Sequence, residues 1–459
     1  MNGEGRALRL WKRIRKLHLS ATQIIALSFA AIILLGTVLL SLPVASRNGG
    51  SCGLIPALFT ATSATCVTGL SLFDTWSQWS GFGQVVLLVL IEIGGLGFMS
   101  IASLVIFMMR KKVGLKQRMV MAQAMSLTDM QGVVRLQRIV IFGSLSVQFT
   151  GALILFLRFL PEFGFRNAAV WGIFHGVSAF CNAGFDLFGA IAPGQSVMPF
   201  HDDPVVLMTL MVLITVGGLG FFVWEELARV RSFKKFSVYT KLVLIATLTI
   251  TLVGAALVLI LEWNNPETLG NMPVWQKILN AFFQATTMRT AGFASVDQAG
   301  LTEAGKAVSM LIMLIGGSSG STAGGLKTVT FVVLVLFIWT KARGRNTVRV
   351  FKHTVPNEKA MDAMTIFFIM LSLAFFGAFF IAATTPVTFA DSLFESVSAL
   401  ATVGVTAGVT PMLGLPAQLL IIIFMYFGRV GVLTISLGFL MGNKAEDRFR
   451  YADTNLLIG

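Results

Sequence analysis

Residues 21–42, 242–261 and 365–388 contain no charged side chain. A helix rises ~1.5 Å per residue, so about 20 apolar residues cross the ~30 Å hydrocarbon core of a bilayer. A soluble helix of that length would carry a charged stripe along one face, and these stretches have none. The whole chain agrees. Of its 459 residues, 55% are hydrophobic and 12% charged, about half the charged share of a soluble domain. Mean hydropathy is +0.81. The chain is read as a polytopic membrane protein. Its first apolar run has 22 residues (21–42) and no clean small-residue cleavage site, so it is read as a span and not as a signal peptide. Cys52, Cys66 and Cys181 suggest no disulfide framework, and four histidines show no metal-ligand spacing.

The net charge of +14 sits in a few loops. Arg6, Arg9, Lys12, Arg13, Arg15 and Lys16 form the first cluster, and Arg110, Lys111, Lys112, Lys116 and Arg118 the second. Arg229, Arg231, Lys234, Lys235 and Lys241 follow, then Lys341, Arg343, Arg345, Arg349, Lys352 and Lys359. The intervening loops are poor in Lys and Arg. This alternation is topology under the positive-inside rule, which makes the basic loops and both termini cytoplasmic. It is not the mark of nucleic-acid binding, although a basic face also suits a cytosolic partner or anionic lipid.

Between the basic loops one pattern recurs four times. A long span (about 21–42, 139–157, 242–261, 364–385) precedes a short apolar segment (53–64, 168–180, 274–287, 389–400). A polar glycine phrase follows: TCVTGL (65–70), FCNAGF (180–185), TMRTAGF (287–293) or ATVGVTAG (401–408). A second long span closes each copy (84–109, 204–224, 307–340, 417–442). Segments of 10–14 apolar residues are too short to cross and suit re-entrant half-helices. The second spans carry their own landmarks: Gly94-Gly95-Leu96-Gly97-Phe98, Gly217-Gly218-Leu219-Gly220-Phe221, Gly316-Gly317 and Gly428-Arg429-Val430-Gly431. From phrase glycine to landmark the separations are 25 (69 to 94), 33 (184 to 217), 24 (292 to 316) and 24 (404 to 428), the outlier holding a polar insertion at 194–203. Glycines in membrane helices commonly mean close packing, but recurrence at a nearly fixed offset points to a repeat. All copies run in one orientation, unlike inverted-repeat transporters. The expected fold is all-α, with four M1–P–M2 repeats in pseudo-fourfold symmetry around a central pore: eight spanning helices and four half-helices. The expected segments are a basic N-terminus 1–20, repeats at 21–110, 130–230, 238–341 and 361–443, and a C-terminal segment 444–459.

A half-helix that turns back inside the membrane leaves backbone unbonded, which is tolerated only where it lines a cavity or pore. Four such turns ring a pore with carbonyl oxygens, the groups that replace a dehydrated cation's water. Glycine accepts the backbone angles such turns need. The candidate filter residues are Cys66, Val67, Thr68 and Gly69; Cys181, Asn182, Ala183 and Gly184; Thr290, Ala291 and Gly292, preceded by Arg289; and Thr402, Val403 and Gly404, preceded by Ala401. No acidic ring is available for a carboxylate-lined, calcium-type pore.

Taken with GGLGF twice, GGSSGSTAGG (316–325) and FGRVG (427–431), these phrases resemble the Trk/Ktr/HKT superfamily of potassium transporters over residues 20–459. The length, the single span before the first half-helix and the terminal Leu-Leu-Ile-Gly look most like the KtrB branch. The resemblance implies a pore subunit of a potassium-uptake system in the cell membrane, a homodimer with one pore per protomer. It also implies docking on a cytosolic KtrA/TrkA-like regulatory ring. No nucleotide-binding motif occurs in this chain, so no cofactor is expected here. A nucleotide (ATP/ADP or NAD-type) belongs to the partner, and K+ is the transported ion. In related plant transporters serine at the first filter position goes with sodium selectivity. This chain has Gly69 there, which points to potassium.

Gly316, Gly317, Ser318, Ser319, Gly320, Ser321, Thr322, Ala323, Gly324 and Gly325 cannot hold a helix against lipid, since glycine costs ~1 kcal/mol per helical position. The segment is read as an intramembrane loop beneath the filter, the alternative being a packing kink. In the resembled family the corresponding loop is a gate. Arg429 interrupts an apolar span, where a central charge costs at least ~2.5 kcal/mol. By repeat alignment it stands where the first copies have Gly95 and Gly218, and in the family an arginine at this motif assists the gate; a structural clamp is the alternative. Lys327 either snorkels or anchors the closed state. Glu92 is expected to pair with a basic group or a carbonyl rather than to coordinate an ion, His175 to be packed, and Arg289 to face away from the pore. Asp186 either attracts cations or caps a loop, and Cys66 and Cys181 are expected as buried thiols. A sodium-permeant uptake protein is the second reading within the class. A membrane enzyme would need acid–base or nucleophile clusters at one depth, and the sequence has none.

Overall fold

The structure is a computed structural model that describes residues 21–97 and 133–431. The basic N-terminus, the Arg110–Arg118 cluster, Phe98, the far ends of the first and fourth second spans, and the C-terminal segment lie outside the described residues.

Each copy begins with a long helix: α1 (Ala21–Ser41), the first part of α4 (Val133–Cys181), α7 (Val238–Glu262) and α11 (Asn357–Thr384). Among the described residues these four are individually long and apolar enough to cross a membrane. Their outer faces confirm the solvent. Phe149 is 70% and Ile260 72% exposed, a burial deficit that lipid relieves and water would not. The half-helices are α2 (Leu54–Cys66), the far part of α4, α8 (Val274–Thr287) and α12 (Phe389–Leu400). In the second copy the connection between the long span and the short segment is helical on both sides of a sharp kink at Gly164 (φ 72, ψ 169), three residues after Pro161.

The second helices are α3 (Gly81–Leu96), α5 (Pro204–Gly218), α9 (Glu303–Leu314) and α13 (Leu415–Val430). The sequence reading has three of them continuous and only the third interrupted. In the structure all four break. α3 stops at Gly97 (φ 83) and α13 at Gly431 (φ 93). After α5, Gly220 (φ 92) sends α6 (Phe221–Arg229) off at 95°. A positive φ ends a right-handed helix, and glycine is the residue that adopts it without steric cost. In the third copy the break widens into the loop 315–327 before α10 (Thr328–Ala342). A short hairpin, β1 (Val348–Val350) with β2 (His353–Val355), precedes α11.

The copies form a closed ring. α3 packs on α4, α5 on α8, α9 on α12, and α13 returns to α2. Each second helix therefore leans on the next half-helix, and the fourth closes on the first. Within a copy, landmark glycines bring the second helix against the end of its own half-helix. At Gly94, Gly217 and Gly428 a Cβ would collide with the carbonyls of Thr65, Phe180 and Leu400, each four residues before a phrase glycine. Small residues at these crossings let backbone meet backbone. The chain is an all-α membrane protein of four helix–half-helix–helix units around a pseudo-fourfold axis.

Candidate functional site

At the end of each half-helix the backbone turns through a left-handed residue: Val67 (φ 56), Asn182 (φ 59), Thr290 (φ 70) or Thr402 (φ 54). Two residues later comes a glycine with φ of 102, 69, 85 or 93, at Gly69, Gly184, Gly292 and Gly404. Left-handed backbone costs a non-glycine residue ~1–2 kcal/mol, so local bonds must hold it. Thr68 N, Ala183 N and Val403 N each donate, at 2.8 Å, to Ser63, Ser178 and Ser398 O in the half-helix. Ala291 N donates to Thr287 O at 2.9 Å. Hydroxyls add a second tie. Ser63 and Ser398 Oγ accept from Gly69 and Gly404 N at 3.1 Å, while Ser178 and Thr287 donate to Phe185 and Phe293 O at 2.7 Å.

The four turns meet around the axis. A Cβ on Gly69 would lie 2.6 Å from Ala183 O, on Gly184 2.8 Å from Ala291 O, and on Gly292 2.6 Å from Val403 O. On Gly404 it would collide with Thr68 O. Each glycine thus faces the carbonyl just before the next copy's glycine, and the circuit closes. The result is a ring of neutral oxygens with the negative ends of four half-helix dipoles directed at it. Such a ring can replace the hydration shell of a monovalent cation.

Residues 316–325 pack against the ends of the second and fourth half-helices and the end of α5. Ser318 N and Thr322 N donate to Gly218 O (3.0 Å) and Gly217 O (3.3 Å), and Phe221 N donates to Gly320 O (2.9 Å). Thr322 Oγ1 reaches Phe180 O at 3.2 Å. Tyr239, on α7, donates to Ser319 O at 3.0 Å. The ends of the loop are closed by Gly316 N to Leu326 O (2.8 Å) and Thr328 N to Gly317 O (3.0 Å). Gly324 abuts the Thr402 side chain, and Gly325 (φ 64) comes within 3.0 Å (Cβ to Ala401 O) of the fourth turn. The Arg429 guanidinium donates to Thr322 O in the loop and to Gly94 O and Gly95 O (3.2 Å to the latter) in the first copy. Lys327 Nζ donates to Ala323 O at 2.7 Å. Two cations therefore hold loop and pore-helix carbonyls with no carboxylate bonded to either among the described residues.

The remaining expected residues are found as follows. Glu92 pairs, but with neither a basic group nor a carbonyl: it accepts from Gln148 Nε2 (3.0 Å) and Cys181 Sγ (3.4 Å), linking copies one and two. Cys66 and Cys181 are buried and unbridged. Asp186 caps its loop, accepting from Phe188 N at 3.1 Å. Arg289 points away from the axis, toward Thr247 and Thr328. His175 is buried, contacts Trp171 O through Nδ1 (2.7 Å), accepts from Leu187 N through Nε2 (3.2 Å), and stacks on Phe188 at 3.9 Å. It braces the chain beyond the second turn.

Sequence reasoning missed Glu395. It is fully buried on α12 and accepts from Thr406 Oγ1 (2.7 Å) and from Thr410 Oγ1, so it braces the chain beyond the fourth turn. The signal was present: Glu395 stands nine residues before Gly404, as His175 stands nine before Gly184. Tyr239 was missed too, because nothing near it in sequence points to a loop 80 residues away.

Comparison with known proteins agrees with this architecture. The family model of TrkH, described as a cation transport protein, matches residues 11–448. The chain is 39% identical to the potassium/sodium uptake protein NtpJ of Enterococcus hirae, covering 98% of this chain and 99% of the relative. It is 37% identical to Ktr system potassium uptake protein B of Bacillus subtilis, with 98% and 99% covered. The potassium transporter TrkH of Vibrio parahaemolyticus has a similar fold, with a TM-score of 0.69 at 18% identity, over 93% of this chain and 86% of that one.

Proposed function

The chain belongs to the TrkH family of cation transport proteins, ion transporters and not enzymes, and we propose that it is the pore-forming subunit of a potassium-uptake system. K+ passes through the ring formed at Cys66, Val67, Thr68 and Gly69, at Cys181, Asn182, Ala183 and Gly184, at Thr290, Ala291 and Gly292, and at Thr402, Val403 and Gly404. The observation that carries this reading is the closed circuit of four positive-φ glycines, each against the carbonyl preceding the next. Main-chain oxygens act as ligands there, so the side chains are free to differ between copies. An inside-negative membrane supplies ~2.3 kcal/mol per 100 mV for each ion. The repeats occupy 21–110, 130–230, 238–341 and 361–443, between the 1–20 and 444–459 ends. The protein lies in the cytoplasmic membrane with both ends inside, as its basic loops require.

The loop 316–325 is the gate in this reading. Its contact with the fourth turn at Ala401 and Thr402 and its tethers to copies one, two and four through Arg429 and α5 support that role. Freed, the loop would open the path. The Bacillus subtilis relative is named as part of a Ktr system, which speaks for a multi-component assembly: a homodimer docked on a cytosolic KtrA/TrkA-like ring that carries the nucleotide and moves the loop through the basic cytoplasmic face.

The test is flux of K+, Rb+, Na+ and Li+ into liposomes holding the purified protein. Preference for K+ and Rb+ over Na+ supports the filter. The name of the Enterococcus hirae relative favours a second, sodium-permeant reading, and equal K+ and Na+ flux would establish it in place of potassium selectivity.

A further inference from the structure

We propose that Arg289 is a positioning residue that couples the third filter turn to the gate loop; the inference rests on the filter-and-gate reading above. In three copies the residue before the left-handed turn is small: Cys66, Cys181 and Ala401. Only the third copy has a long cationic side chain there, and in that copy the second helix opens into the loop 315–327. Arg289 is 8% exposed and runs behind the turn. Its Nη2 lies 3.4 Å from Thr247 Oγ1 on α7 and 3.4 Å from Thr328 Oγ1 at the start of α10. Its Nε is buried without a partner, and no ion pair among the described residues involves it.

Thr328 is the staple of the gate loop. Its backbone N donates to Gly317 O at 3.0 Å, and its hydroxyl donates to Gly316 O at 2.8 Å. One hydroxyl therefore gives its proton to the first residue of the loop and offers its lone pair to the arginine behind the filter. Both of the arginine's contacts lie at the long edge of hydrogen bonding, and a buried charge is costly when its partners are few. When the loop moves, Thr328 moves with it and Arg289 loses one of two partners. The guanidinium must then re-aim. Arg289 is bonded directly to Thr290 (φ 70), and Ala291, one residue further, supplies one of the ring carbonyls. A change in the arginine's torsions is therefore delivered to the ring over two residues. Coupling of this kind is reciprocal: a loop that alters ion affinity is altered by ion occupancy to the same degree.

The experiment uses the full purified chain and reads apparent K+ affinity from K+-dependent thermal stabilisation, with Na+ as comparison. The unmodified protein and Arg429→Ala, the loop-releasing variant, are each measured alone and with Arg289→Gln. Expected is a shift in K+ affinity of roughly fivefold or more between closed and released forms, the size typical of coupled sites. With Arg289→Gln the shift collapses to less than about twofold, below that typical coupling range, while K+ is still preferred to Na+. Thr328→Val should abolish the shift in the same way, and Thr328→Ser, which keeps the hydroxyl, should retain it. Thr328→Val carries the test alone if Arg289→Gln does not fold. A shift of equal size with and without Arg289, or no shift on loop release, overturns the coupling. Absence of any K+-specific stabilisation in the unmodified protein overturns the filter reading itself, and the coupling with it.

Discussion

Replacing Arg429 with alanine should make the closed pore leak, and the structure sets how much. The guanidinium spans two bodies: it holds Gly94 O and Gly95 O of the first copy on one side and Thr322 O of the loop on the other. Only the last bond bears on whether the loop stays in place. A hydrogen bond from a charged donor contributes about 1.5–3 kcal/mol, so its loss should move the closed-to-open balance by about 10- to 150-fold. The assay is K+-driven Rb+ uptake into liposomes without any cytosolic partner. Two explanations for a leak must be separated, since alanine also removes a positive charge that could repel the ion. Arg429→Lys keeps the charge, but an ammonium on a single point cannot bridge both bodies as the planar fork does. If the bridge matters, Arg429→Lys leaks as well, within severalfold of alanine. If repulsion alone matters, it behaves like the unmodified protein. Unchanged flux in Arg429→Ala of normal melting temperature would refute the assignment of the loop as the gate.

Gly69→Ser should raise Na+ permeability relative to K+: its Cβ would press on Ala183 O from 2.6 Å at a φ of 102, displacing one ring carbonyl. An unaltered K+/Na+ flux ratio would count against Gly69 as a filter residue. Glu395→Ala leaves the Thr406 and Thr410 hydroxyls without their acceptor, at ~1–3 kcal/mol for a buried group. Lower melting temperature and weaker K+ selectivity should appear together, and neither would change if Glu395 were incidental. Tyr239→Phe removes the bond to Ser319 O, so basal flux should rise about 2- to 12-fold for a neutral bond of ~0.5–1.5 kcal/mol; equal flux would show that α7 does not steady the loop.

The four glycine phrases were legible because a backbone requirement dictates residue type at Gly69, Gly184, Gly292 and Gly404. The preceding left-handed residues were not legible. Val67, Asn182, Thr290 and Thr402 share no side-chain chemistry, and their conformation is imposed by the bonds back to the half-helix. The breaks at Gly97, Gly220 and Gly431 were hidden because glycines in a membrane helix commonly mean close packing and do not by themselves mark an end. The break at 316–325 was plain because polar residues fill it. Glu395 and Tyr239 escaped for another reason: each acts on a segment that folding brings to it, and hydropathy carries no trace of that.

Because the ring is closed within one polypeptide, its four walls are inherited together. A channel assembled from four separate chains mixes mutant and normal walls when both forms are expressed, and one bad wall spoils the pore. Here each pore is wholly mutant or wholly normal. Co-expression of a filter variant with the unmodified gene should therefore lower uptake in proportion to gene dosage, without dominance. The same covalent linkage lets a single codon alter one wall alone, so one copy can hold His175, another Arg289 and a third Glu395 without imposing them on the rest.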